Sequence, residues 1–219
     1  MSTIANPGIP VQRGVTIQNA LKWIAFSAFA AFGLMAYFKA AGRYTNYSAE
    51  VYRNYWPERG WLIMHILGGT VALFTGPTQF LTGLRHRNLR LHRWLGKVYL
   101  GGVTAGATAA FYLSFTTSPQ ASLGFALGLF FLALAWSTSS AMAYVAIRRR
   151  NIDVHKEWMI RSYVVTYSFV TFRLLFDQQP FAALPLEQRL TITSWMCWAP
   201  PLLVTELALQ WKRTLAQRR

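Results

Sequence analysis

Acidic residues are scarce in this chain: 7 Asp and Glu stand against 22 Lys and Arg among 219 residues. Charged residues of both signs make up only 13%, about half the share found in a soluble domain. There is too little polar side chain to cover a water-facing surface of this size. One cysteine, Cys197, excludes an internal disulfide and any CxxC metal or redox motif; it reads as apolar filler within a helix. The four histidines do not fall at i, i+4, so no zinc spacing is present. No nucleotide loop, GxSxG or HExxH occurs either, which leaves no catalytic motif and no metal site.

What the chain does have is apolar and aromatic residue, 53% and 16% respectively. Six stretches are apolar over about 18 residues or more, the length that crosses a bilayer core as a helix. They are Ala20–Phe38, Trp61–Leu84, Leu95–Phe115, Leu123–Ile147, Trp158–Phe176 and Leu190–Trp211. The first lacks the strongly basic start and small-residue cleavage site of a signal peptide, and so reads as a span. The expected fold is all-α: a single membrane domain over residues 1–219 with six transmembrane helices.

A net charge of +15 would fit nucleic acid if the cations lined a soluble face. They cluster instead at the ends of apolar runs, which excludes that reading and makes them topology signals facing anionic lipid. One set of ends carries Arg13, Lys22, Arg85, Arg87, Arg90, Arg93, Lys97, Arg148, Arg149, Arg150, Lys156, Lys212, Arg213, Arg218 and Arg219. The opposite ends carry Lys39, Arg43, Arg53, Arg59 and Arg189, partly offset by Glu50, Glu58, Asp177 and Glu187. The positive-inside rule then puts both termini in the cytoplasm.

The nine residues Arg85–Arg93 (RHRNLRLHR) recur as Arg148–Lys156 (RRRNIDVHK). Arg85, Arg87, Asn88 and His92 match Arg148, Arg150, Asn151 and His155. After a one-residue slip Trp94, Lys97 and Tyr99 match Trp158, Arg161 and Tyr163. Residues 61–115 and 123–176 therefore read as two helix hairpins of one topology, a parallel internal repeat, flanked by the spans at 20–38 and 190–211. Gly102-x-x-x-Gly106, followed by Ala110, predicts a close helix–helix face. Pro200-Pro201 predicts a kink near the middle of the last span, with the freed carbonyls satisfied by neighbours.

His65-x-x-x-Gly69, Gln79, LHRWLGKVY (Leu91–Tyr99) and HKEWMIRSY (His155–Tyr163) leading to Arg173 resemble the bacterial predicted membrane proteins grouped as domain-of-unknown-function family 2306. The resemblance spans Trp61 to Phe176. It implies a multi-pass inner-membrane protein and transfers no catalytic residue.

Ionisable groups within a membrane are expensive and are sites to inspect. Near the outer face His65, Arg173 and Asp177 lie at similar depth and allow a polar cluster; the structural alternative has His65 bonding a backbone carbonyl and Arg173 reaching headgroups. His65, Gly69, Ala72, Gly76 and Gln79 form a stripe that should face the bundle. On the inner side three readings stand. In the first, His92 and His155 cap helix starts and the cations Arg85, Arg87, Lys97, Arg148, Arg150 and Arg161 seat the hairpins. In the second, His92 and His155 hold a b-type haem with cations at its propionates. In the third, the same cations hold a phosphate or carboxylate, such as an anionic lipid headgroup. Glu206 is the natural partner of Arg161. Ser137, Thr138, Ser139 and Ser140 are expected to bond their own helix carbonyls. The partners expected are the bilayer and other membrane subunits or further copies, which makes an accessory or scaffold subunit the leading role. A carrier of an anionic small molecule is the other functional alternative.

Overall fold

The computed structural model describes Gly33, Met35, Tyr37, Phe38 and residues 41–217. Most of the expected first span, Ala20–Phe38, lies outside the described residues, as do the cations Arg13, Lys22, Lys39, Arg218 and Arg219. Seven helices of ten residues or more follow, all in the second of the chain's two units, Ala36–Arg219. They are α1 (Arg59–Thr75), α2 (Leu89–Thr116), α3 (Leu123–Arg148), α4 (Ile152–Thr166), α5 (Ser168–Asp177), α6 (Leu186–Met196) and α7 (Ala199–Gln217). No strand occurs among the described residues.

Three segments are single helices long and apolar enough to cross a membrane: Arg59–Phe80, Leu89–Thr116 and Leu123–Arg148. The other two described spans expected from the sequence are each broken in two. Trp158–Phe176 divides at Tyr167, whose ψ of −10° leaves the helical value. A hydroxyl competes at this point: Thr166 Oγ1 donates to the Ser162 carbonyl at 2.9 Å. Such back-bonding competes with the helix ladder and bends it.

Leu190–Trp211 divides at Cys197 and Trp198, so Pro200 and Pro201 do not kink a continuous helix. They stand in the first turn of α7, where a missing N–H removes nothing the helix would use. Pro201 would otherwise have bonded the Cys197 carbonyl, and that carbonyl instead accepts the Thr171 hydroxyl at 2.7 Å. The expected neighbour is thus found on α5. Cys197 itself is fully buried in this break and not within a helix.

The repeated Asn is a helix cap in both copies. Asn88 Oδ1 accepts the Leu91 N–H at 2.9 Å to open α2, and Asn151 Oδ1 accepts the Val154 N–H at 3.2 Å to open α4. Asn is among the best residues for this position. His92 and His155 lie one turn further in and donate their backbone N–H to the Asn88 and Asn151 carbonyls. The expectation that the histidines cap the helices is therefore corrected: the asparagines do.

Asn151 has a second task. Its N–H bonds the Ala146 carbonyl at 3.0 Å, while the Arg150 N–H bonds the Ile147 carbonyl at 3.0 Å. This is the Schellman closure of α3, and it places Arg150 at φ 59°, where glycine is the usual occupant. Arg150→Gly is expected to stabilise the protein by about 1 kcal/mol, because a side chain is penalised in the left-handed region. A rise in unfolding temperature with Arg150→Gly and none with Arg150→Ala is the measurement.

The heaviest packing is α1 on α2, then α3 on α4, with α2 on α3 joining the pairs and α6 and α7 set against α3 and α4. Where α1 crosses α2 the backbones touch. A Cβ built on Gly68 would lie 2.5 Å from the Gly106 nitrogen and 2.6 Å from the Gly102 oxygen. One on Gly102 would lie 2.8 Å from the Gly68 oxygen. Gly102-x-x-x-Gly106 is therefore a packing face within the chain. The stripe through His65 also faces inward: Gly69 meets the Phe169 ring, Ala72 is fully buried, and Gly76 meets the Tyr163 ring.

Candidate functional site

The interior joins α2, α3 and α4 through a closed polar network. The Tyr99 hydroxyl lies 2.5 Å from Ser162 Oγ and 3.0 Å from Thr166 Oγ1. Ser140 Oγ lies 2.7 Å from Ser162 Oγ, and the Trp136 indole N–H donates to Thr166 Oγ1 at 2.8 Å. All five side chains are buried, so every hydroxyl must find its partner here. Ser137 and Ser139 bond carbonyls of their own helix as expected, whereas Ser140 reaches across to α4. Sequence reasoning missed this network. Its one visible trace is the spacing of Ser162 and Thr166, which places both hydroxyls on one face of α4.

On α4, Arg161 is buried against α7. Its Nη2 lies 2.6 Å from Glu206 Oε2 and its Nη1 3.7 Å from Glu157 Oε2. The guanidinium sits 4.7 Å over the Trp158 ring. Arg213 closes the set by pairing with Glu157. Arg161 thus has Glu206 as partner and spends its donors within the protein. The other cations behave differently: Arg87, Lys97, Arg148 and Arg150 are exposed and Arg85 is half-buried, and none of the five has a carboxylate partner among the described residues. At the start of α4 the Lys156 ammonium, 2.9 Å from Asp153, holds that carboxyl below the usual range.

His92 and His155 come within electrostatic reach of each other, with Arg85 and Arg93 beside them. The rings are held unequally. His155 Nδ1 bonds the Ala143 carbonyl on α3 at 2.8 Å. His92 Nδ1 is buried without a protein partner among the described residues.

Toward the end of the bundle opposite His92 and His155, α1, α2, α3, α4 and α5 leave a half-enclosed cavity of about 200 Å³. His65 and Arg173 both line it, among Tyr55, Trp136, Phe169 and Phe172. His65 Nδ1 donates to the Gly106 carbonyl at 2.9 Å, and its ring stacks on Phe169 at 4.9 Å. The third member of the expected cluster is absent from the cavity wall: Asp177 is exposed and pairs with Arg189 at 3.9 Å. Two of the three residues are brought together and one is not. No group of three or more His, Cys, Asp or Glu among the described residues is placed to hold a metal ion.

Apolar helices of spanning length around a buried hydroxyl network, with unpaired cations at one end, define a helical membrane protein. The chain belongs to the family DUF2306, described as predicted membrane protein, whose model matches residues 62–209. Comparison with curated proteins gives no match, and comparison with solved structures gives none.

Proposed function

We propose that this protein is a six-span bundle in the bacterial inner membrane, with both termini cytoplasmic, whose basic face holds anionic lipid headgroups. The observation that carries the reading is the juxtaposition of the two Asn-capped turns. His92 near the start of α2 and His155 near the start of α4 come within electrostatic reach of each other, and Arg87, Arg148 and Arg150 of the same turns remain exposed without a carboxylate while Arg161 is consumed internally. An exposed cation near an anionic membrane surface contributes about 1 kcal/mol of attraction. The broken pairs α4–α5 and α6–α7 complete the spans in this reading, since irregular backbone is tolerated in a membrane where protein buries it.

Support for a parallel repeat comes from the matched tyrosines. Tyr99 on α2 reaches Ser162 on α4, and Tyr163 on α4 reaches the Leu73 carbonyl on α1 at 3.3 Å. Each reaches into the other hairpin. A role as an accessory subunit draws on α7, where Leu203, Val204, Leu207 and Trp211 are exposed and would face lipid or a neighbouring membrane protein.

The test is lipid retention. Protein purified with its native lipids and carrying Arg85→Ala, Arg87→Ala and Arg150→Ala together is expected to lose most of its copurified anionic lipid by mass spectrometry. Unchanged lipid content removes the proposal. The haem alternative rests on the proximity of His92 and His155, and the visible spectrum of the same preparation decides it. A Soret band would mark haem at that pair, and its absence from protein made with haem supplied would discard it.

A further inference from the structure

The cavity at the end of the bundle opposite His92 and His155 is separate from the basic face, and its wall carries two polar groups of complementary kind. A carbonyl oxygen only accepts, so the bond from His65 Nδ1 to Gly106 requires the proton on Nδ1. A neutral ring then presents Nε2 as an acceptor, and Nε2 has no partner among the described residues. The ring cannot turn away, because Phe169 stacks on one face and is itself held edge-on by Trp136 at 5.7 Å. Arg173 supplies the opposite function. It is half-buried, lies 5.7 Å over Phe172, and has no carboxylate among the described residues, since Asp177 is taken by Arg189. The wall also carries the Ser118 and Ser168 hydroxyls and the tyrosines Tyr37, Tyr44 and Tyr55, and the rest is aromatic and aliphatic.

A volume of about 200 Å³ is below that of pockets for drug-sized molecules. A void of roughly 150 Å³ takes one benzene ring, so this one fits a single substituted ring with any tail leaving by the open side. The ring must bring a donor for His65 Nε2 and an acceptor for Arg173. A carbonyl alone meets only Arg173, a carboxylate turns lone pairs toward Nε2, and a plain hydrocarbon satisfies neither. An aromatic hydroxyl does both. The geometry points to this cavity as a binding site for the ring of a hydroquinone, held by a hydroxyl donating to His65 Nε2 and by Arg173 donating to a ring oxygen.

The test is equilibrium binding of radiolabelled decyl-ubiquinol to the full chain in nanodiscs, beside its oxidised form. Saturable binding is expected, about tenfold tighter for the quinol than for the quinone, because the quinone has no proton to give His65. His65→Phe keeps a ring for Phe169 to stack on and is expected to erase that preference. Ala110→Phe fills the void from α2 and is expected to abolish binding of both forms while the protein still elutes as a single species. It also keeps the test intact should His65→Phe fold poorly. Displacement by tail-less dimethoxyhydroquinone would mark a water-soluble phenol as the source. Displacement only by tailed quinols would mark a membrane quinol. Equal affinity for the two redox forms, displacement by decanol as effective as by hydroquinone, or no saturable binding would overturn the assignment.

Discussion

Gly68→Val is expected to leave little folded protein. The new Cβ would fall 2.5 Å from the Gly106 nitrogen and 2.6 Å from the Gly102 oxygen, and these are backbone atoms within helices that cannot turn aside. Only separation of α1 from α2 relieves the overlap, and that is the most extensive helix contact in the unit. Overpacking a core costs about 1–3 kcal/mol when side chains can adjust; here they cannot, so the loss should reach or exceed the upper end. The matched control is Gly101→Val. Gly101 has nothing within 4 Å of its Cβ position, and β-branched residues are tolerated in helices at a small propensity difference. Yield of monodisperse protein and unfolding temperature in detergent are the readouts. Equal behaviour of the two variants would show that the crossing is not where the structure puts it.

Arg161→Leu is the second large effect. The side chain is 9% exposed, and its removal leaves Glu206, at 40% exposure, without its cation and near Glu157, which keeps Arg213. Breaking a buried ion pair by deleting one partner costs about 3–5 kcal/mol. Because Glu206 retains access to solvent, about 2–3 kcal/mol is the expected loss here. Adding Glu206→Gln to Arg161→Leu should recover much of it, since Glu157 keeps Arg213 and no carboxylate of the set is then left without a partner. If the double variant is no more stable than Arg161→Leu, the cost lies in lost packing on Trp158 and not in stranded charge. Either result separates Arg161 from Arg85, Arg87 and Arg150, whose removal should change lipid content while altering stability little.

The parts of this fold legible in the sequence are those set by local composition. Leu123–Ile147 is an unbroken apolar run and emerges as α3. Gly102-x-x-x-Gly106 marks a contact whose partner is found on α1. Arg161 and Glu206 were pairable because so few acids exist in the chain. What was not legible depends on register between segments far apart in sequence. Asp177 and Arg173 sit on the same short helix, yet Arg189 on α6 takes one and leaves the other. Ser140 differs from Ser137 and Ser139 only in facing α4. The division at Tyr167 has no proline to announce it. The capping role of Asn88 and Asn151 is set locally, since an Asn stands one residue before each helix. The cavity could not be read at all, because it is a place where several helices fail to meet.

The turn between α3 and α4 contains only Arg149, Arg150 and Asn151, and Asn151 both closes the first helix and opens the second. Such a joint has no slack. Neither helix can slide or rotate against the lipid without undoing the hydrogen bonds that end the other. In folding, this favours the two helices forming as one preassembled hairpin.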